Sequence, residues 1–287
     1  MPFPTVEIRS LGQLIDCITP SDPDPVSGRR REAAVFRGAG DASWPLYTSL
    51  DRLGGIERAH GKRGLEPHIL RNFIRYSRPH LGHARTEWEL LIAAQHHGLA
   101  TRLLDWSWSP LVAAHFATLG RRERGPDHPD AGRERSERSG SHGTGPDRVV
   151  WRLDWQQVHR HFGFPELALL ADDLDRLRGA DSDGHFTPWE LMERAEQVEP
   201  FACLLDPPTL DARIAAQSAV FTLCSDATRP FDAFLAEHGL EEALTRYVIP
   251  AEATALFRDQ LDLVTMDERR LFPDLDGVAT QMRRYYS

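Results

Sequence analysis

The chain has 287 residues, 41% of them hydrophobic and 27% charged, with a formal net charge of -9. That length is enough to bury a real core in one large domain. The acidic balance excludes a bulk, non-specific nucleic-acid binder and leaves any such partner to a local patch. Cys17, Cys203 and Cys224 are far apart, odd in number and form no CxxC pair, which excludes a disulfide framework and fits a reducing compartment. The N-terminal stretch MPFPTVEIRS has no apolar signal core, and the longest uncharged stretch, residues 107–120, is too short to span a bilayer. A cytoplasmic protein with no membrane partner is expected.

Residues 6–18 read as a short strand followed by a helix with Leu11, Leu14, Ile15 and Ile18 on one face. Residues 19–30, rich in Pro, Asp, Gly and Ser, read as a loop. AAVFRG (33–38) is a predicted strand, Gly38 and Gly40 bring a turn, and DASWPLYTSLDRL follows mostly extended. Helical patterns recur over 67–76 and 87–97, the second stopped by Gly98. SPLVAAHFATLG predicts a third helix, with Ser109 as N-cap, Pro110 at N1 and Gly120 past its end.

Residues 121–148 hold no Leu, Ile or aromatic residue up to the strand that follows and read as a flexible loop inserted into a single domain that spans 1–287. RVVWRLDW is the next strand. TPWELMERAEQV carries a capping box, Thr187 with Glu190. Asp211 then caps a short helix before a strand over 219–224. RYVIPAEATALFRDQLDLV reads as strand then helix, and LFPDLDGVATQMRRYY as a turn and a closing helix. Strands and helices interleave with no regular βαβ unit, no GxGxxG and no P-loop. The expected fold class is α+β, a mixed central sheet flanked by helices.

Several polar groups stand out. Arg37, at a strand end before Gly38, suits a phosphate or ribose clamp, the glycine letting backbone come close to a ligand; a surface ion pair is the plainer reading. Glu89 and His96 share a helix face two turns apart, with Gln95 one position round, so they either aim into a cleft or cap the helix. Within QHHGLATRLLDW (95–106), Leu99, Leu103, Leu104 and Trp106 are expected in the core, with Gln95, His96, Thr101, Arg102 and Asp105 lining a cleft that faces Arg37. Arg102 and Asp105 would alternatively pair with each other, or Asp105 would bond amides of the turn WSWSP. Ser107 and Ser109, before a helix N-terminus, suit an anion. Arg213 and Gln217, four apart, either pair on a helix or offer the Gln to a ribose hydroxyl. His96 and His97 point about 100° apart on a helix, His80 and His83 lack a third partner, and no HxxxH or HExxH occurs, so no metal is expected.

Taken together, VFRGAGDASWPLYTSLDR, EWELLIAAQHHGLATRLLDWSWSPLVAAHFA, RIAAQSAVFTL and LFPDLDG resemble the FRG domain family, named for its Phe-Arg-Gly motif. Two departures show: Ala100 stands where the family usually has Pro, and Ala219 where it usually has Gly. A strand ending in Arg-Gly, then Ser/Thr positions running into an A-x-x-F-A helix, is also similar to the ADP-ribosyltransferase layout. That resemblance implies an enzyme using NAD as substrate to modify a protein, nucleic acid or nucleotide, by family analogy in a toxin or anti-phage defence role. It assigns Arg37, Gln95, Thr101, Arg102, Ser107 and Ser109 to NAD binding. Gln217 would hold a ribose hydroxyl, Glu89 or Asp105 would supply the carboxylate that a glycosidic cleavage needs, and His96 would act on the acceptor. No Glu-x-Glu or Gln-x-Glu occupies the late strand. Two further readings therefore stand beside it: a non-catalytic nucleotide- or nucleic-acid-binding module, and an NAD glycohydrolase or nuclease with His96 as general base.

Overall fold

The computed structural model describes residues 3–25, 27–30, 33–53, 61–77, 79, 86–119, 145–176, 200–209 and 212–286. Its described strands form one seven-stranded mixed sheet: β1 (Thr5–Glu7), β2 (Val35–Ala39), β3 (Leu104–Ser107), β4 (Arg148–Leu153), β5 (Ala202–Leu205), β6 (Ala219–Cys224) and β7 (Leu244–Ile249). The spatial order is β1-β7-β4-β2-β3-β6-β5, antiparallel throughout except for the parallel pair β1 and β7. This is the α+β mixed sheet flanked by helices that the sequence predicts.

Strand pairing is uneven across the sheet. β2 is registered with β4 over its whole length, from Val35 opposite Leu153 to Ala39 opposite Val149. β3 is registered with β6 from Leu104 opposite Thr222 to Ser107 opposite Ala219. Between β2 and β3 a single pair forms, Phe36 opposite Ser107. The sheet therefore splays open at its middle.

Helices cover both faces because apolar residues recur at helical spacing. On one face, α1 (Leu11–Ile18), α4 (Pro110–Thr118) and α9 (Thr254–Leu263) bury Leu14, Val112, Ala113 and Phe257 against Phe36, Val150 and Ile249. On the same face, beyond the seam, α2 (Lys62–Ser77) and α3 (Glu87–His96) bury Leu70, Trp88, Leu91 and Ile92 against Leu103, Phe221 and Leu223. The other face is covered by α5 (Trp155–His161) and α8 (Phe231–Glu237), packed on Val35, Leu104, Trp106 and Trp151. Shorter helices α6 (Ala171–Arg176), α7 (Ala212–Gln217) and α10 (Glu268–Leu271) lie between strands, and α11 (Leu275–Tyr285) closes the described chain.

Local signals set the boundaries. Ser109 caps α4 by accepting from the Val112 amide, with Pro110 at the first helical position. Gly98, at φ +83°, ends α3 in the left-handed region. The loop inserted at 121–148 falls outside the described residues as far as 144, and Arg148 itself already belongs to β4. The capping box at Thr187 and Glu190, the cap at Asp211, His80, His83 and Gly120 also lie outside them.

Gly38 is placed by packing rather than by a ligand, which corrects the expectation above. A Cβ there would lie 1.9 Å from the Ala113 carbonyl oxygen and 2.5 Å from the Ala117 amide nitrogen. The glycine exists so that α4 can lie directly on β2.

Behind α4 sits a buried ionic cluster. Glu268 accepts from Arg258 Nη2 at 2.6 Å and from Arg284 Nη2 at 3.0 Å, and Arg284 also holds Asp262 through two bonds of 2.7 Å. Fully buried His115 is 3.2 Å from the Met266 carbonyl oxygen. Burial, then the neighbouring Arg258 charge, push its pKa down to about 4. His159 is likewise buried, its Nδ1 donating to the Pro165 carbonyl and its Nε2 accepting from the Leu204 amide, and burial lowers its pKa. Both rings are neutral in the native state and take up a proton on unfolding at an ordinary pKa of 6.5. Native stability is thus full above pH 6.5 and falls as the pH drops toward 4. The expected loss from His115 alone between pH 7 and pH 5 is on the order of 2 kcal/mol. Urea midpoints measured at both values, with His115→Gln as the comparison, check this: the variant should show the shallower dependence.

Candidate functional site

The seam between β2 and β3 opens into a cleft of about 420 Å³, within the range of small-molecule sites. Arg37 stands at the seam. Its Nη1 donates to the Asp105 backbone oxygen at 2.6 Å, filling the place of a missing ladder bond, and lies 3.7 Å from Asp105 Oδ2. The Asp105 side chain is 45% exposed to the cleft and that of Arg37 is 13% exposed. Asp105 is held in turn: Gln95 Nε2 donates to both of its carboxylate oxygens at 3.0 Å. Gln95 Oε1 accepts from Thr101 Oγ1 at 2.6 Å, which fixes which way the amide faces. Ser49 Oγ accepts from the Thr101 amide at 3.0 Å and ties the loop after β2 to this chain of bonds.

The cleft walls mix aromatic and cationic groups. Phe36, Trp44, Tyr47, Phe116 and Phe221 line it beside Arg37, Arg52 and Arg213, with His96 and His97 at the end of α3. The Trp44–Tyr47 wall is held by Asp232 of α8, whose Oδ1 accepts from the Leu46 amide at 2.9 Å. On the opposite side, Arg213 lies over the Phe272 ring at 4.9 Å and Gln217 Nε2 donates to the Leu271 carbonyl at 3.1 Å. Ser218 follows at φ +46°, a left-handed conformation that a serine adopts at a cost. Its carbonyl accepts from the Trp108 amide at 3.0 Å, so the strained corner is tied to the segment after β3.

The expected site residues divide. Arg37, Gln95, His96, Asp105, Ser107, Arg213 and Gln217 line the cleft together. Thr101 is fully buried beneath it and acts through Gln95. Four assignments are corrected. Glu89 does not line the cleft; it is N3 of α3 and forms a capping box with Thr86, so it supplies no charge there. Arg102 neither pairs with Asp105 nor reaches the cleft: it is 3% exposed and bonds buried Glu66 at 2.6 Å and the Ser225 carbonyl at 2.8 Å. Asp105 bonds Gln95 and Arg37 rather than amides of the following turn. The α4 N-terminus is taken up by Ser109 itself, while Ser107 Oγ accepts from the Ser109 amide and donates to the Gln217 carbonyl.

Sequence reasoning passes over Trp44, Tyr47, Ser49 and Arg52, all in the extended DASWPLYTSLDRL stretch. An uncharged aromatic pair in a segment with no strand or helix pattern was the available signal. Among the described residues no group of three or more His, Cys, Asp or Glu is arranged to hold a metal ion. No helix among them is long and apolar enough to cross a membrane.

A mixed α+β sheet is split at its centre, and the cleft there is lined by three arginines, two carboxylates (Asp105 and Asp274) and aromatic rings. Residues 32–125, from before β2 to beyond α4, match the FRG domain family. The matched third of the chain includes Phe36-Arg37-Gly38 and the whole of QHHGLATRLLDW, whereas 213–223 and 271–277 lie outside it. No curated protein and no solved structure is matched by the chain.

Proposed function

We propose that the cleft binds a nucleotide and that the domain cleaves NAD at the nicotinamide–ribose bond, transferring ADP-ribose to a macromolecular or nucleotide acceptor. The observation that carries this reading is Asp105: a carboxylate open to an aromatic-lined cleft, fixed by Gln95 and set beside Arg37. When the C1′–N bond breaks, its electron pair goes to the nicotinamide nitrogen and positive charge develops on the ribose. A preorganised carboxylate stabilises that charge where a neutral amide would not. Arg37, Arg52 and Arg213, on different sides of the cleft, give an acidic protein local positive charge suited to a diphosphate. Gln217 offers an amide to a ribose hydroxyl, and His96 at the cleft edge takes the proton that the acceptor loses on bonding C1′.

Nicotinamide release from NAD by the purified protein, with and without cell extract, tests the reading. Asp105→Asn is expected to lower kcat by about 100-fold or more with an unchanged melting temperature. Arg37→Ala is expected to raise KM. Release that needs extract supports transfer; equal release without it means a glycohydrolase. NAD binding without release places the domain among non-catalytic nucleotide binders, for which Gln217, a neutral amide already bonded to Leu271, is the favouring observation. Neither binding nor release overturns the proposal.

A further inference from the structure

Seven of the fifteen large apolar side chains exposed among the described residues lie between Leu263 and Tyr286. Monomeric proteins scatter such residues singly, and a concentration of them marks a contact surface. Four belong to α11: Leu275 at 85%, Val278 at 42%, Met282 at 38% and Tyr285 at 71% exposure. At 100° a residue they fall within an arc of about 80°. The face that rests on the protein is instead small or polar, with Gly277 and Gln281 buried and Arg284 bonded to Glu268 and Asp262. The helix therefore turns its apolar stripe outward, the reverse of an ordinary surface helix.

The spacing of the stripe, three then four then three, is that of a coiled-coil seam. It also reads the same in both directions. Leu275 and Tyr285 are equidistant from Thr280, as are Val278 and Met282. A second copy laid antiparallel would set Leu275 against Tyr285 and Val278 against Met282 at both ends. Charge follows the same symmetry: exposed Asp276 stands in the first turn and exposed Arg283 in the last. Antiparallel pairing brings the acidic end of one copy to the basic end of the other and opposes the two helix dipoles. Leu263 and Val264, next to the Asp262 that Arg284 holds, are two further exposed apolar side chains.

We propose that α11 is a homodimerisation surface, an isologous contact in which two copies of this chain pair their 275–285 helices antiparallel about Thr280. Sedimentation of the full chain from about 1 to about 200 μM should show a concentration-dependent dimer. Val278→Glu with Met282→Glu should weaken it by more than about 100-fold while leaving the circular dichroism spectrum and melting temperature in place. The register is tested by oxidation in a Cys17→Ser background: Val278→Cys and Met282→Cys proteins should cross-link when mixed and not when alone. A monomer at every concentration overturns the proposal, as does a dimer that survives the paired glutamates. Cross-linking of the Val278→Cys protein with itself overturns the antiparallel arrangement.

Discussion

Gly38→Ala is expected to destabilise the protein by about 3 kcal/mol or more, read as a lower urea midpoint with an unchanged slope. The added Cβ meets backbone, not a side chain that can swing away: the Ala113 carbonyl at 1.9 Å and the Ala117 amide at 2.5 Å. Relief requires α4 to lift from β2, and α4 contributes Val112, Ala113 and Phe116 to the cleft. Ligand affinity should fall together with stability. Gly12→Ala is the internal comparison. It lies in α1, where a Cβ finds only Ser10 Oγ at 3.8 Å, so alanine there should stabilise by roughly 0.5–1 kcal/mol through backbone entropy and helix propensity. Opposite signs from one substitution type would show that contact, not glycine's flexibility, governs position 38.

Removing Glu66 should cost about 3–5 kcal/mol, the range for deleting one member of a buried ion pair. Glu66 and Arg102 are 0% and 3% exposed, and the carboxylate holds both the guanidinium, at 2.6 Å, and the Arg102 backbone amide, at 2.7 Å. In Glu66→Ala the guanidinium keeps its bond to the Ser225 carbonyl but loses the Glu66 carboxylate. Glu66→Leu with Arg102→Met, which removes both charges, should recover much of the loss. Chemical denaturation of the single and double variants checks this. A double variant as unstable as the single would show that the hydrogen bond to the Arg102 amide, rather than the lost ion pair, dominates.

What the sequence shows well is what neighbours along the chain decide. Ser109-Pro110 starts α4 and Gly98 ends α3 because caps act within one turn of helix. Leu103, Leu104 and Trp106 are buried because alternation and size are visible locally. The pairing of Arg102 with Glu66 was not legible, since Glu66 is 36 residues away, on α2. Nothing in TRLLD separates an arginine aimed at a ligand from one aimed at a buried carboxylate. Glu89 is a different case: Thr86, three residues before it, already spelled a capping box. For the candidate site, the polar crowd in QHHGLATRLLDW correctly flagged a wall of the cleft, while the cation-lined far side depended on Arg213 meeting Phe272 across a separation that only the fold closes.

The single registered pair between β2 and β3 also bears on how the protein avoids its own kind of trouble. Unpaired strand edges normally sit at a sheet's rim, where they invite pairing with other chains. Here two such edges lie at the centre, between helices, out of reach of another strand. The cleft between them is open to solvent without a long free strand edge being open to aggregation. Few ladder bonds cross the opening, and it is spanned instead by α4, which follows β3 and lies directly on β2. The halves of the sheet on either side keep full ladders of their own.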